Sequence, residues 1–376
     1  MNQTIVFRAD ASLQIGTGHI MRCLTLADAL AAQGAECQFI CREHQGNLIE
    51  QIRNKGHIAH ALPVLPPAGA SSRTIEPTAA KREPAHSHWL GATQEQDAAD
   101  CALILAEVKP DWLIVDHYAL DARWELALKP HYRQLMVIDD LADRPHQCDL
   151  LLDQTFGRDG EDYRALVPAS CRLLCGSQHA LLRTEFAALR PYSLERRAEP
   201  QLRQLLITMG GVDKDNATGQ VLEALRACPL PADCQLTVVM GATAPWLAEV
   251  IRQAQSMPWQ TKVMVGVSDM ARLMADSDLA IGAAGATSWE RCCLGLPTAM
   301  MVLADNQRYA AWLLDQAQAV RMLHLDMSLV SELASFISEV VKCNEYLKRL
   351  SESASVVTDG KGCQRTADRL IFGEAR

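Results

Sequence analysis

The sequence predicts an α/β protein with two domains, each built on a parallel sheet covered by helices. Two rounds of short apolar segments alternate with helical patterns along the 376 residues, and such alternation is typical of parallel sheets. A polar, proline-flanked segment, residues 190–200, separates the two rounds and is typical of a domain boundary. We therefore expect a first domain over residues 1–190, a linker over 191–203 and a second domain over 204–376.

Ten strands are predicted from short apolar and β-branched runs bounded by polar or turn-forming residues. The first round contains Thr4 to Arg8, Cys37 to Ile40, Trp112 to Val115, Leu135 to Ile138 and Leu150 to Leu152. The second contains Gln204 to Thr208, Leu236 to Met240, Lys262 to Val265, Leu279 to Ile281 and Ala299 to Val302. The chain is long enough for each domain to bury its own core.

Composition and charge restrict the classes of function. A net charge of −9 argues against nucleic acid as the main partner. No uncharged apolar run approaches the roughly 18 residues that span a bilayer, and Arg8 and Asp10 interrupt the first apolar run, which argues against a signal peptide. None of the thirteen cysteines forms a C-x-x-C pair, as expected of a reduced protein. We expect a cytoplasmic protein that acts on a small molecule without a membrane partner or a cofactor.

The segment Gly16-Thr17-Gly18-His19 follows the first predicted strand and begins a helical pattern. Thr17 is the predicted N-cap, and the two glycines would let a ligand approach the backbone. The positive end of a helix disfavours an imidazolium ion, so His19 is expected to be neutral near pH 7 and able to accept a proton. The alternative is that His19 only fills a helix start.

Polar residues follow other strands of the first domain, where ligands bind in parallel α/β proteins. Asp116, His117 and Tyr118 end one strand and are predicted to orient His19 or to hold a ligand. Asp10 shares the first strand–helix corner with Arg22, which would contact a phosphate or a sugar, or pair with Asp10.

A metal site is a weaker alternative in the same domain. Asp139 and Asp140 end a strand, and His146 and Asp149 follow closely. Because no tight ligand spacing accompanies these four residues, we favour a site without metal. Residues 66–88 are predicted to form a surface insertion, in which His86 is a solvated loop residue, as is His88.

The second domain carries two glycine-containing turns that suit a diphosphate. Gly210 and Gly211 follow a strand and allow close approach of backbone to phosphate. A second strand runs into Gly285, Ala286, Thr287 and Ser288, and free backbone N–H groups at the following helix start favour an anion. Thr287 is the expected cap of that helix.

Three further polar residues accompany these turns. Glu290 could close a capping box with Thr287 or accept both hydroxyls of a ribose, and the spacing favours neither. Asn306 and Gln307 follow another strand and suit a ligand site, or equally an ordinary turn.

With these residues placed, the chain resembles the UDP-sugar hydrolases of pseudaminic acid biosynthesis, which act on UDP-2,4-diacetamido-2,4,6-trideoxy-β-L-altropyranose. The matching segments are residues 7–12, 15–19, 89–91, 115–118, 138–141, 148–152, 180–186, 209–211 and 285–290. The second half is less specific, since it resembles the wider group of two-domain UDP-sugar glycosyltransferases. One departure is His179, where the family usually has tyrosine.

The resemblance implies two Rossmann-like domains facing across a cleft (a GT-B-like fold), with UDP on the second domain and the sugar on the first. It also implies metal-independent hydrolysis with inversion at the anomeric carbon. In this family-based interpretation His19 is the general base, Tyr118 holds the sugar or the water, and Glu290 takes the ribose.

Two other functions are compatible with the same sequence. A UDP-sugar glycosyltransferase would use an acceptor hydroxyl in place of water. A membrane-bound acceptor would call for an exposed apolar or basic patch on the first domain, and the sequence shows no such run. A non-catalytic nucleotide-sugar-binding protein would have no use for a base such as His19. A monomer is the expected state.

Overall fold

The computed structural model describes residues 3–64 and 83–373, and these residues form two compact units. Of these residues, the first unit contains 3–64, 83–154, 158–179 and 364–373, and the second contains 155–157 and 180–363. The predicted boundaries differ from this division. The chain passes from the first unit to the second after His179, and the predicted linker lies within the second unit, where residues 191–196 belong to helix α5, Thr184–Arg196. The last helix returns to the first unit.

The first unit is a seven-stranded parallel sheet with the order β3-β2-β1-β4-β5-β6-β7. Its strands are β1 (Thr4–Ala9), β2 (Glu36–Arg42), β3 (Ile58–Leu62), β4 (Trp112–Asp116), β5 (Gln134–Ile138), β6 (Leu150–Asp153) and β7 (Arg172–Cys175). Its helices are α1 (Gly18–Ala32), α2 (Ile49–Asn54), α3 (Gln94–Val108) and α4 (Ala122–Ala127), joined by most of α13 (Gly362–Phe372).

The second unit is a six-stranded parallel sheet with the order β10-β9-β8-β11-β12-β13. The strands are β8 (Gln204–Thr208), β9 (Gln235–Met240), β10 (Thr261–Val265), β11 (Leu279–Ala283), β12 (Thr298–Met301) and β13 (Arg321–Leu323). After α5 come the helices α6 (Ala217–Leu225), α7 (Leu247–Gln255), α8 (Met270–Asp276), α9 (Thr287–Cys293), α10 (Arg308–Gln316), α11 (Leu329–Lys342) and α12 (Asn344–Ser355).

The prediction of two parallel α/β domains is confirmed, and all ten predicted strands are present. The central strands are buried on both faces, as is typical of parallel sheets that helices cover on both sides. In the first unit Val6, Leu113, Val137 and Leu151 have almost no exposed surface and pack with residues of α3. Within the described residues, no helix is long and apolar enough to cross a membrane.

Each sheet has one point at which the direction of strand addition reverses. In the first unit this point lies between β1 and β4, and in the second it lies between β8 and β11. The loops after two such strands diverge and leave a crevice at their carboxyl ends, where ligands bind in folds of this class. His19, at the start of α1, and Asp116, at the end of β4, therefore lie at one such point, and the loops with Gly210 and Gly285 lie at the other.

Candidate active site

His19 and Asp116 form a buried hydrogen-bonded pair at the carboxyl ends of β1 and β4. His19 is the second residue of α1, Asp116 is the last residue of β4, and Nδ1 of the imidazole lies 2.6 Å from Oδ1 of the carboxylate. Asp116 has no exposed surface and His19 is 8% exposed. The carboxylate accepts the Nδ1 proton and leaves Nε2 of a neutral imidazole with its lone pair.

Arg22 holds the same carboxylate from the next turn of α1. Its Nε donates to Oδ2 of Asp116 at 2.6 Å, its Nη2 donates to Oδ1 at 2.7 Å, and its Nη1 donates to Asp140 at 2.6 Å. Burial alone would raise the pKa of Asp116, but the charges of Arg22 and His19 hold that pKa well below its usual range. Asp116 is therefore ionised at every physiological pH. The predicted pairing of Arg22 with Asp10 is wrong, because Arg22 faces Asp116 and Asp140; its contact with substrate stays a prediction.

Tyr118 joins the cluster from the loop after β4. Its hydroxyl donates to Oδ2 of Asp140 at 2.7 Å, and its ring meets the His19 ring edge-on with centroids 4.6 Å apart. Burial and the nearby carboxylates raise the pKa of Tyr118 well above its usual value. The phenol therefore stays protonated and cannot serve as a base.

Asp10 lies in a second buried cluster beside the first. Its Oδ1 lies 2.7 Å from Nη1 of Arg8 and accepts the Arg42 amide at 2.7 Å, while Oδ2 lies 3.3 Å from Nε2 of His117. Burial opposes ionisation of Asp10, but Arg8 and then His117 keep its pKa well below the usual range. These contacts of Asp10 are all with other residues of the first unit, and its contact with substrate stays a prediction.

Beneath Asp10 lies a charged network that the sequence reasoning missed. Asp97 of α3 accepts two hydrogen bonds from Arg8, at 3.1 and 2.7 Å, and one from Arg42 at 2.6 Å. All three side chains are fully buried. A buried arginine requires a buried counter-charge, so Arg8 in the middle of an apolar strand was the signal that could have revealed the network.

The four residues of the alternative metal site make separate contacts. Asp139 pairs with Arg144 and accepts the Tyr163 hydroxyl, whereas Asp140 faces Arg22 and Tyr118. His146 binds Glu125, and Asp149 accepts the Leu135 amide. Among the residues that the structure describes, no group of three or more His, Cys, Asp or Glu side chains is arranged to hold a metal.

The glycine loop before α1 is open at its two glycines. Gly16 has a φ of +80°, and a Cβ placed on Gly16 or on Gly18 would meet no atom within 4 Å. Such space is what close approach of a ligand requires. Thr17 occupies the N-cap position as predicted, but its side chain makes no capping hydrogen bond.

His86 corrects the expectation that the end of the insertion is solvated. Residues 66–82 of this insertion lie outside the described residues. His86 is half-buried, and its ring centroid lies 4.3 Å from that of Trp89 and 5.6 Å from that of Tyr118. His88 is exposed, as expected. The sequence offered one signal for this contact, the Trp-Leu-Gly segment at 89–91.

In the second unit, the loop after β8 begins with an open glycine. Gly210 has a φ of +90° with no atom near a hypothetical Cβ, while the Gly211 carbonyl lies against Gly241. Asp213 accepts hydrogen bonds from Ala217 and Thr218 at the start of α6. The loop is thus tied down at its end and open at Gly210.

The turn from β11 into α9 is built around a buried arginine. Arg291 donates to the Ala283 carbonyl at 2.7 Å and to the hydroxyls of Thr287 and Ser288 at 3.1 and 3.3 Å. Burial lowers the pKa of Arg291 to about 10. Because both hydroxyl oxygens accept from Arg291, their protons can point towards an anion. The N-cap of α9 is Ala286, so the prediction that Thr287 caps the helix is wrong.

Glu290 does not close a capping box, because Ala286 at the N-cap has no side-chain oxygen to complete one. Its Oε1 lies 3.7 Å from Nη2 of Arg183, and its side chain is 17% exposed. Burial raises the pKa of Glu290 to about 7, against the opposing charge of Arg183. Because Arg183 is the nearest cation among the described residues and lies 3.7 Å away, the Glu290 carboxylate remains available to accept hydrogen bonds from a ligand.

Gln307 lies next to the same turn. Its Nε2 is 4.0 Å from the position of a Cβ on Gly285, and its Oε1 accepts the Leu303 amide at 2.9 Å. Asn306 precedes it in the short 3-10 helix Asp305–Gln307. The structure therefore brings Gln307 beside Gly285, as a shared ligand site requires.

Comparison with solved structures shows which fold the chain adopts. MurG from Acinetobacter baumannii superposes with a TM-score of 0.69 at 14% identity, covering 98% of this chain and 99% of that one. Residues 204–366 match the glycosyltransferase family 28 C-terminal domain. The chain has a GT-B-like fold. This fold is common to enzymes of several kinds, so it does not by itself define the reaction.

Two curated proteins are similar in sequence to this GT-B-like chain. The UDP-2,4-diacetamido-2,4,6-trideoxy-beta-L-altropyranose hydrolase of Campylobacter jejuni is 26% identical over 310 residues, which is 82% of this chain and 95% of that protein. The spore coat polysaccharide biosynthesis protein SpsG of Bacillus subtilis is 29% identical over 210 residues, 54% of this chain and 59% of that protein. The resemblance to the hydrolase is confirmed across most of the chain.

Proposed function

We propose that this chain hydrolyses UDP-2,4-diacetamido-2,4,6-trideoxy-β-L-altropyranose to UDP and the free sugar, as a step of pseudaminic acid biosynthesis. The similarity to the Campylobacter jejuni hydrolase supports the substrate. The reaction we assign is metal-independent and inverts the anomeric carbon. The first unit supplies the base and the sugar contacts, and the second supplies the groups that hold UDP.

The observation that carries this proposal is the 2.6 Å contact between His19 Nδ1 and Asp116 Oδ1. Asp116 is ionised and fully buried, so it fixes the imidazole ring and stabilises the imidazolium that forms when Nε2 takes a proton. A protein that only binds a nucleotide sugar has no need of such a pair. His19 is therefore the general base of the proposed reaction.

In the proposed step, Nε2 of His19 removes a proton from water as the water oxygen attacks the anomeric carbon. The bond from that carbon to the diphosphate oxygen breaks, and its electron pair leaves with UDP. A positioned base contributes roughly 10²- to 10⁴-fold to the rate. Backbone N–H groups at Gly210, Gly211 and the turn from Gly285 to Ser288 are assigned to the departing diphosphate.

The remaining predicted residues receive binding roles in this proposal. Tyr118 stays protonated and holds the sugar or the water. The open backbone at Gly16 and Gly18 borders the sugar, and Asp10 and Arg22 complete its polar surroundings. Glu290 takes the ribose hydroxyls, and Asn306 and Gln307 stand beside the diphosphate turn.

Proton NMR of the protein with this UDP-sugar, in EDTA, tests the proposal. We expect release of UDP with a free sugar of the opposite anomeric configuration. His19→Ala and Asp116→Asn should each lower kcat by roughly 10²- to 10⁴-fold, while UDP affinity, measured by calorimetry, stays unchanged. A near-normal rate in His19→Ala would contradict the assignment of the base.

The family 28 match keeps a second function in view, because the same fold serves UDP-sugar glycosyltransferases. Substrate that stays intact in water but is consumed when a sugar or lipid acceptor is added would favour that function. UDP binding without turnover under either condition would favour a nucleotide-sugar-binding protein.

A further inference from the structure

Trp89 is a half-buried aromatic residue beside the catalytic pair, and the proposed reaction gives it no role. It ends the 3-10 helix Ser87–Trp89. The centroid of its ring lies 6.0 Å from that of the Tyr118 ring, and the angle between the two ring planes is 29°. Tyr118 in turn contacts His19. The rings of His86, Trp89 and Tyr118 therefore form one aromatic surface, here termed the aromatic wall, which reaches the proposed base.

The position of Trp89 is fixed by the two residues that follow it. Leu90 is 1% exposed and packs in the core of the first unit. Gly91 has a φ of +68°, and a Cβ at that position would lie 2.7 Å from the His44 ring and 3.3 Å from the Arg42 side chain. Only glycine fits there without displacing a neighbour. The Trp-Leu-Gly segment is thus a rigid support that carries an aromatic ring to the site.

The indole ring retains a free surface. Trp89 is of intermediate exposure, and its N–H donates to none of the described residues. Tryptophan combines a large apolar surface with one polar N–H, and buried tryptophan usually finds a partner for that N–H. A pre-formed aromatic surface with an unused donor, beside a catalytic histidine, is typical of a ligand pocket.

We propose that Trp89 forms the apolar side of the sugar subsite and selects sugars that present methyl groups, from acetamido or 6-deoxy substituents, rather than hydroxyl groups. This inference rests on the proposed function, since it places the sugar beside His19. A hydroxyl turned towards the faces of these rings, away from the indole N–H, would lose water without gaining a hydrogen-bond partner, which disfavours binding. A methyl group in the same place buries apolar surface and gains affinity.

Three variants test the inference, with two nucleotide sugars as substrates. Trp89→Ala removes the ring, Trp89→Phe keeps an aromatic face, and His88→Ala alters the exposed neighbour in the same 3-10 helix. The substrates are the UDP-diacetamido-trideoxy sugar and UDP-N-acetylglucosamine, which carries hydroxyls at C4 and C6. KM and kcat are measured separately for each.

We expect Trp89→Ala to lower kcat/KM for the diacetamido sugar by about 10- to 100-fold, mostly through KM, and to narrow the preference over UDP-N-acetylglucosamine. Trp89→Phe should keep most of the preference, and His88→Ala should behave as the unmodified protein. A preference unchanged in Trp89→Ala, or an equal loss in His88→Ala, would overturn the inference.

Failure of the proposed function is distinguishable from failure of the wall. If the unmodified protein binds the UDP-diacetamido sugar without releasing UDP, the hydrolase proposal fails. Calorimetric affinities of the intact nucleotide sugars for the unmodified protein and Trp89→Ala then decide the role of the wall alone. If the unmodified protein does not bind that sugar, both proposals are overturned.

Discussion

His19 illustrates how a single residue acquires its chemistry from a distant part of the chain. The glycine loop places the imidazole at the start of α1, but its partner Asp116 comes 97 residues later, at the end of β4. The two meet because β1 and β4 are neighbours in the sheet, with Ala9 opposite Asp116. The candidate base was therefore predictable from local sequence, and the pairing required the strand order.

Arg22 and Glu290 differ in how far neighbouring charges compensate their own. Arg22 uses Nε and both terminal nitrogens on two carboxylates, so its charge is compensated within the first unit. Glu290 has one cation at 3.7 Å, and burial raises its pKa to about 7. Perturbed carboxylates of this kind concentrate at functional sites, so Glu290 is the stronger of the two as a ligand-binding residue.

The pKa of Glu290 yields a prediction for UDP binding. Ribose hydroxyls donate to the ionised carboxylate, so UDP affinity should rise with pH between about 6 and 8 as Glu290 loses its proton. Glu290→Gln should lower the affinity at pH 8 by about 10- to 100-fold, the range of a hydrogen bond to a charged group. Calorimetry with UDP at several pH values measures both effects.

Glu290→Gln also supplies the control, because titration of the UDP phosphate affects both proteins equally. Without ligand, the folded protein holds the Glu290 proton more tightly than the unfolded chain does. The stability of the unmodified protein should therefore fall, relative to the variant, as pH rises from about 4.5 to 7. If the pH profiles of UDP affinity were parallel for the two proteins, the assignment of Glu290 to the ribose hydroxyls would be wrong.

At the scale of elements, the buried strands were predictable and several edge strands were not. The three strands without a prediction, β3, β7 and β13, all lie at a sheet edge. An edge strand has one neighbour and is less completely buried, as the exposed Ile58 of β3 and Arg321 of β13 show. Its sequence therefore lacks the continuous apolar run that marks a central strand.

Polar contacts between elements were the least predictable feature of the candidate site. The pairing of Arg22 with Asp140 joins residues 118 positions apart, and no local pattern encodes it. Arg291 differs, because its partners lie only 3, 4 and 8 positions away, but they are a carbonyl and two hydroxyls rather than an acidic residue, so no pattern of opposite charges marks them. Periodicity reports which face of an element is buried, but it does not report which buried polar groups meet.

The charged network around Asp97 links α3 to β1 and β2, and we predict how much it contributes to the free energy of unfolding. Asp97→Asn would leave Arg8 with Asp10, and Arg42 with Asp100, as the remaining acidic partner. Because Arg8 and Arg42 are fully buried, this change should lower the free energy of unfolding by about 3–5 kcal/mol. Asp100→Asn is the matched control, since Asp100 is 21% exposed, lies 3.2 Å from Arg42 and accepts its other hydrogen bond from the exposed Gln96. Its loss should stay below about 1 kcal/mol. Urea unfolding measures both, and equal losses would contradict the role of Asp97.

At the scale of the whole molecule, the same architecture occurs twice and carries different chemistry each time. Both sheets are parallel and each has one reversal point, so two crevices follow from one folding rule. Titratable side chains such as His19 and Asp116 lie at the first reversal point, and small residues such as Gly210 and Gly285 lie at the second. The fold class was predictable from alternating strands and helices, whereas the division of roles depends on these loops.

The return of α13 to the first unit yields the last prediction. Asp368 accepts a hydrogen bond from Gln33 after α1 at 2.9 Å, and the Ile371 carbonyl accepts one from Gln3 before β1 at 3.4 Å. Leu370 is 2% exposed, so Leu370→Ala should cost about 2–5 kcal/mol in the free energy of unfolding. Phe372→Ala, at a position 72% exposed, should change it by less than about 0.5 kcal/mol. Hydrogen exchange in Leu370→Ala should accelerate in β1 and α1 but not in α6 or α11, because α13 packs on the first unit. Equal acceleration in all four elements would contradict this prediction and show that α13 stabilises both units alike.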